Sequence, residues 1–157
     1  MTTRVSVSVQ REDFDPARIV EDMSATGIDA GAVAMFLGLC RSEDGRLAAL
    51  ELEHYPGMAE EEIGRVAAEA ENRWSLLGLT IVHRYGLVRP GERIVVVAAA
   101  SRHRAASLEA ASFVMDFLKT RAPFWKREHL PDGTIGDWVA AKEADDRAAE
   151  AWAQADP

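Results

Sequence analysis

The sequence has 157 residues, 48% of them hydrophobic and 28% charged, which fits one soluble domain with its own core. Its net charge of −8 argues against nucleic acid as the main partner, because phosphate backbones attract basic surfaces. No apolar run approaches the roughly 18–20 residues that span a bilayer, and the start has no apolar signal segment. One cysteine, Cys40, excludes an internal disulfide and, with four scattered histidines, argues against a structural metal site. We therefore predict a cytoplasmic protein with no metal, membrane or nucleic-acid partner.

Hydrophobic periodicity and turn residues predict strands and helices along most of the chain. The first helix is capped by Asp15, starts at Pro16 and ends before Gly27. The run AGAVAMFLGLC is small, apolar and continuous, which is typical of a central strand. The predicted elements are strands at 3–10, 30–40, 47–55, 79–86 and 93–101, helices at 16–26, 58–77 and 102–121, and a hairpin around Asp132 and Gly133.

Short links between several strands favour an α+β fold with a mainly antiparallel sheet and packed helices, in a single domain. We place this domain at residues 1–142. The acidic, alanine-rich residues 143–157 are predicted to form a frayed or mobile tail.

A basic cluster in the stretch FLKTRAPFWKREHL is unexpected in an acidic protein. Lys119 lies at the border of the apolar face of its helix, where partial burial would make the amine usable as a nucleophile or proton carrier. An isolated lysine near a helix C-terminus is more often a solvated cation that interacts with the dipole. Lys126 lies beyond Pro123 in a segment expected to fold back, so the two amines could converge on an anion.

Other candidate residues have alternative interpretations. His103 and Arg104 lie at a helix start, where backbone N–H groups and cations can bind an anion, or they form a solvated start capped by Ser101. Arg41 follows an apolar strand and, in isolation, opens a turn. Cys40 is interpreted as a buried small hydrophobe. His54 and His83, within strand patterns, are interpreted as structural, whereas Trp125 could form the wall of a pocket.

Five stretches of the chain form a distinctive set. They are LEHYPGM (52–58), NRW (72–74), HRYGLVRPGE (83–92), SRHRAASLEA (101–110) and MDFLKTRAPFWKRE (115–128). With these stretches the chain resembles the large, catalytic subunit of molybdopterin synthase, and the last stretch is long and unusual, which makes the match specific.

The resemblance implies an α+β enzyme that works as a homodimer within a heterotetramer. Each large subunit binds a small ubiquitin-like sulfur-carrier subunit, whose C-terminal Gly-Gly ends in a thiocarboxylate. Sulfur passes from that terminus to cyclic pyranopterin monophosphate and forms the molybdopterin dithiolene of molybdenum cofactor biosynthesis. Because sulfur arrives as an acyl thiol, the chemistry calls for positioning and proton transfer and for no cofactor.

The same resemblance assigns residues to the site. It implies that Lys119 and Lys126 are the essential lysines of the family. Lys142 stands where the family often has arginine, so it is a weak candidate that keeps the charge but lacks the bidentate fork. The implied substrate-binding residues are Leu39, Cys40, Arg41, His103, Arg104, Lys126, Arg127 and Glu128, and the implied pocket-wall residues are Phe36 and Met115.

Two alternatives belong to other functional classes. The first is a non-catalytic module that binds an acidic protein tail in the basic groove. The second is a small-molecule acyltransferase that uses Cys40 or a lysine. Formation of a dithiolene from the thiocarboxylated carrier and the pyranopterin distinguishes the synthase from both.

Overall fold

The computed structural model describes residues 3–139 and 151–152. With the exception of one three-residue strand, the elements over this part of the chain follow the predicted order. They are β1 (Arg4–Gln10), α1 (Pro16–Met23), β2 (Ala32–Leu39), β3 (Ala49–His54), α2 (Met58–Arg73), β4 (Gly78–Arg84), β5 (Gly86–Val88), β6 (Arg93–Ser101), α3 (Arg104–Thr120) and β7 (Phe124–His129).

The larger sheet has four strands in the order β1-β4-β6-β2. β1 runs parallel to β4, and the other two pairings are antiparallel. In β6 every residue from Val95 to Ser101 is buried, because helices cover both faces of this strand. Val95, Val97 and Ala99 belong to the main core with α2 and α3, while Ala98 and Ala100 contact Met23 at the end of α1.

The smaller sheet is antiparallel, with β3 between β5 and β7. A second core lies beneath it and consists of Cys40, Leu47, Leu52 and Val88. An aromatic contact joins the two sheets: the ring of Phe124 on β7 stacks on His83 of β4, with centroids 3.8 Å apart and an interplanar angle of 15°. This stack holds the start of β7 against the larger sheet.

α3 follows β6 and returns along the larger sheet, so its two ends lie far apart. Its 17 residues span about 25 Å at about 1.5 Å per residue. Gly31, just before β2, donates its N–H to Ser101 O near the N-terminal end of α3. A Cβ on Gly31 would lie 2.1 Å from Arg102 O, so the close approach of the two segments requires glycine here.

The predicted fold class is confirmed, since helices and mainly antiparallel strands form the observed architecture. The hairpin around Asp132 and Gly133 is also present, with Lys126 bridging Val139 and His129 bridging Ile135. Asp15 caps α1, with its carboxylate accepting from the N–H groups of Ala17 and Arg18. Within the described residues, no helix is both long and apolar enough to cross a membrane.

One prediction about the elements was wrong. β2 is not a central strand but the edge of its sheet, with Phe36, Leu37 and Leu39 37–50% exposed. A continuous apolar run does not distinguish a strand covered on both faces from an edge strand with an uncovered apolar surface.

The predicted domain boundary at residue 142 lies outside the described residues. Of the predicted tail, the structure describes residues 151 and 152. Trp152 packs on the main core against Trp74 and Phe113, and its indole N–H donates to Asp116.

Candidate functional site

A cavity of about 560 Å³ lies where the two sheets meet the C-terminal end of α3. Aliphatic side chains form its floor, and charged side chains from three different segments surround its opening. The lining residues are Leu39, Cys40, Arg41, Glu43, Leu47, Leu50, Leu52, His83, Ile94, Leu118, Lys119, Ala122, Phe124, Trp125, Lys126, Arg127, Glu128, Gly136, Asp137 and Val139.

The end of β2 turns into this cavity through an irregularity in its pairing. The register with β6 shifts between Gly38 and Leu39, as in a β-bulge, and such shifts re-aim the side chains that follow. A Cβ on Gly38 would lie 2.6 Å from Val95 Cγ1, so glycine allows the close contact here. Backbone hydrogen bonds from Cys40 N to Glu92 O (2.9 Å) and from Gly91 N to Cys40 O (2.8 Å) then fix the segment.

Lys119 and Lys126 line the same cavity, as the fold-back at Pro123 predicts. Lys119 comes from the last turn of α3, and Lys126 from β7, where it pairs with Leu52. The side chain of Lys119 is exposed at the cavity, so its amine is accessible there. The arrangement places two amines from different elements around one space that is large enough for a small ligand.

Ion pairs hold two of the other predicted site residues, Arg127 and Glu128. Glu51 accepts a hydrogen bond from Arg127 Nε at 2.8 Å and lies 2.8 Å from His129 Nε2. These two bonds lower the pKa of the Glu51 carboxyl, with the Arg127 bond the larger cause. Arg46 donates two hydrogen bonds, at 3.2 and 3.0 Å, to the carboxylate of Glu128.

Arg41 reaches outward from the rim of the cavity. Its side chain is 77% exposed and pairs with Glu43 at 2.8 Å. Exposed pairs of this kind contribute little to stability, so the guanidinium can exchange its partner for an incoming anion at small cost.

Cys40 is buried, as its apolar surroundings predict, and is 4% exposed. Burial raises the pKa of its thiol, and the nearby Glu92 and Glu43 carboxylates act in the same direction. The thiol therefore stays protonated near neutral pH, which disfavours nucleophilic chemistry.

Sequence reasoning missed His83 as a cavity residue. It interpreted this histidine as structural because the residue lies within a strand pattern. The half-buried ring lines the cavity and stacks on Phe124. No local signal reveals this position, because the cavity wall forms only when β4 meets β7 and α3.

Four predicted site residues do not line this cavity. His103 and Arg104 are exposed at the opposite end of α3, where the hydroxyl of Ser101 bonds to the backbone of His103. Phe36 is 42% exposed on the edge strand, and Met115 is buried in the main core. Lys142 lies outside the described residues.

The described residues contain no group of three or more histidine, cysteine, aspartate or glutamate side chains that could hold a metal ion. The charged groups around the cavity are instead lysines and arginines with single carboxylates beside them. Such a set suits anionic ligands, because ammonium and guanidinium groups form charge-assisted hydrogen bonds with carboxylate and phosphate.

Comparison with known proteins identifies the family. A family model described as MoaE protein matches residues 9–121. The chain belongs to the MoaE family. This confirms the resemblance predicted from the five stretches.

Individual MoaE relatives match over nearly the whole chain. A molybdopterin synthase catalytic subunit of Brucella melitensis is 60% identical over 151 residues, covering 96% of this chain and 93% of the relative. The solved molybdopterin biosynthesis MoaE protein from Burkholderia ambifaria is 42% identical, with a TM-score of 0.81 and coverage of 96% and 99% of the two chains.

A more distant MoaE-like structure shares the fold alone. It is the complex of subunits 1 and 2 of the molybdopterin-converting factor from Helicobacter pylori. The matched chain is 20% identical, with a TM-score of 0.67 and coverage of 90% of each chain.

Proposed function

We propose that this chain is the catalytic subunit of a molybdopterin synthase, a sulfurtransferase of molybdenum cofactor biosynthesis. Family membership and the name of the close relatives support the reaction class. The observation that carries the proposal is the cavity in which Lys119 and Lys126 meet from two different elements. In this proposal sulfur passes from a carrier's C-terminal thiocarboxylate to cyclic pyranopterin monophosphate.

The cavity residues divide into binding and chemical roles. Arg41 and Arg127 bind the anionic groups of the substrate, and the exposed position of Arg41 leaves its guanidinium accessible. Lys119 and Lys126 orient the reacting carbonyl and phosphate and handle protons during transfer. The carboxylates of Glu51 and Glu128 hold Arg127 and the β7 backbone in place, which keeps the cations pre-organised.

The partner is a small ubiquitin-like sulfur carrier that ends in Gly-Gly. Two glycines lack side chains, so such a terminus can enter a narrow opening and bring its thiocarboxylate to the lysines. The cavity volume of about 560 Å³ falls within the usual range for small-ligand sites, roughly 300–1,000 Å³. In this proposal a pyranopterin and the last residues of the carrier share that cavity.

The active assembly in this proposal is a homodimer within a heterotetramer. The exposed apolar side chains of β2 form a surface that a second copy would cover, and within the described part of the chain no strand pairs with the outer backbone edge of β2. His103 and Arg104 lie about 22 Å from Lys119 along α3, too far for one small substrate. These residues, with Phe36, would complete the cavity of the other subunit.

The proposed compartment is the cytoplasm. A free, buried cysteine suits a reducing environment, because reducing compartments keep thiols unpaired.

The test of the proposed function is a reconstitution. The purified protein is mixed with thiocarboxylated carrier and cyclic pyranopterin monophosphate, and the dithiolene product is measured. Product formation supports the synthase. Tight carrier binding without product would support the non-catalytic module, and acyl transfer to another small molecule would support the acyltransferase.

A further inference from the structure

His83 lies in the cavity wall with a fixed tautomer. Its Nδ1 is 2.8 Å from the carbonyl oxygen of Arg84. A carbonyl oxygen can only accept a hydrogen bond, so Nδ1 carries the proton. In a neutral imidazole the other nitrogen, Nε2, then holds an unshared electron pair.

Nε2 is accessible from the cavity. Within the described residues, Nδ1 of His54 is a side-chain nitrogen that is fully buried and lacks a hydrogen-bond partner. Nε2 of His83 does not belong to this class of buried, unpartnered atoms. The structure shows no protein partner for Nε2 in the described part of the chain, so this atom meets solvent in the space that its ring borders. An acceptor therefore faces a cavity whose rim is otherwise rich in donors.

The electrostatic surroundings keep the ring neutral. Burial lowers the pKa of His83 to about 4, and the positive charge of Lys119 acts in the same direction. Lys119 and His83 also line the same cavity. At neutral pH the cavity wall thus presents a neutral acceptor to a cationic lysine.

The ring is also held rigidly. The ring stacks on Phe124, and Phe124 in turn stacks on His54 with 5.8 Å between centroids. The buried guanidinium of Arg84 donates hydrogen bonds to Arg11 O and Arg93 O at 2.9 Å each. These bonds hold Arg84, whose carbonyl oxygen is the partner of His83 Nδ1, in place. A rigid acceptor can select one rotamer of a flexible lysine.

We propose that His83 is a positioning residue of the sulfur-transfer site, whose Nε2 accepts a hydrogen bond from the Lys119 ammonium once substrates displace water. This inference rests on the proposed function and assigns to that site a residue from outside its basic cluster. The bond directs the amine toward the reacting groups and leaves its charge in place.

Two substitutions separate the acceptor from the ring. His83→Phe keeps an aromatic ring on Phe124 but removes Nε2, and His83→Gln supplies an amide oxygen as an alternative acceptor. We expect kcat to fall about 10- to 100-fold in the Phe variant, since a hydrogen bond to a charged group is lost, with KM changed much less. The Gln variant should recover part of kcat.

His54→Phe is the matched control. It makes the same change in another histidine that stacks on Phe124 and that borders a separate cavity. Its kcat should stay near that of the unsubstituted protein. Unchanged kcat in a folded His83→Phe variant, or an equal loss in His54→Phe, would overturn the proposal in favour of ring packing.

A measurement on the unsubstituted protein keeps the proposal testable if the variants do not fold. The ¹⁵N chemical shifts of the His83 ring should report a neutral Nδ1–H tautomer between pH 5.5 and 8. A protonated Nε2 in that range would overturn it. Because this readout needs no turnover, it is independent of the reconstitution, whose failure would instead contradict the synthase function.

Discussion

At the scale of single residues, surroundings decide which reactive side chains are available. Lys119 is exposed at the cavity, whereas Cys40 lies beneath it with a thiol whose pKa is raised by burial. We therefore expect that removal of the Lys119 amine abolishes activity and that removal of the Cys40 thiol leaves most of it. The cavity thus leaves the lysine amine available for chemistry and keeps the cysteine thiol unreactive.

Lys119→Ala should abolish dithiolene formation while the fold and the subunit association persist, because an exposed side chain contributes little to the core. Lys126→Ala should also reduce turnover strongly. The matched control is Arg121→Ala, which removes a cation at the same helix end that pairs with Glu69 and does not line the cavity. Near-normal product formation by Lys119→Ala would refute the assignment.

Cys40→Ala should retain most of the activity, because the sulfur comes from the carrier. Its stability should fall by about 1–2 kcal/mol, since a small buried side chain is shortened in a packed core. Turnover and thermal unfolding measure the two effects separately. Detection of a persulfide on Cys40 during turnover would contradict this prediction.

The sequence predicted the residues of the basic cluster but not all of the residues around them. Lys119 and Lys126 could be predicted because both lie in one short stretch with a helix stop between them. His83 and Glu51 could not, because their roles depend on which strands become neighbours. Pairing of β3 with β7 brings Glu51 opposite Arg127, and periodicity along either strand does not specify that register.

At the scale of elements, β7 is the strand on which the site depends, and charged pairs attach it to β3. Glu51 holds both Arg127 and His129. The depressed pKa of Glu51 means that its contribution to stability is present above its ordinary value of 4.5 and is lost as pH falls through the lower folded-state pKa.

Glu51→Gln should therefore reduce the dependence of stability on pH in the acid range. Between pH 5 and pH 3 the melting temperature of the unsubstituted protein should decline more steeply than that of the variant. Circular dichroism melts at successive pH values measure this difference. The control is Glu71→Gln, which changes an exposed residue on α2. If Glu51→Gln gave the same dependence of melting temperature on pH as this control, the stabilising role of the Glu51 ion pairs would be contradicted.

Element types were predictable, but sheet positions were not. β6 and β2 are both continuous apolar runs, yet β6 is central and β2 is an edge. β5 escaped prediction because three residues after a tight turn carry too little periodicity. Whether an apolar strand is covered depends on the connections between elements and on subunit contacts, which the strand's own residues do not encode.

At the scale of the whole molecule, α3 separates two groups of predicted site residues. Lys119 and Arg104 occupy opposite ends of a 17-residue helix. If both serve one site, they come from different subunits of a dimer. Each site then combines the cavity of one chain with the helix start of its partner.

Mixing inactive variants tests this arrangement. Lys119→Ala and Arg104→Ala proteins, each poor alone, should regain about a quarter of full activity after complete subunit exchange, because half of the dimers are hybrids with one intact site. A mixture of Lys119→Ala and Lys126→Ala is the control and should stay inactive, since those lesions fall in the same cavity. Absence of recovery despite proven exchange would show that each site is built within one chain.

The parallel pairing of β1 with β4 also sets the order in which the nascent chain can fold. Arg4 lies opposite Gly78, and Ala32 lies opposite Ser101, so the first strands have no partners until much later segments have been made. At about 5–20 residues per second, synthesis leaves β1 waiting on the order of ten seconds after it emerges from the ribosome. During that interval, the alternating valines of β1 and the apolar surface of β2 are open to other chains. Acidic side chains in the intervening segment can keep neighbouring nascent chains apart through charge repulsion until β6 arrives and closes the sheet.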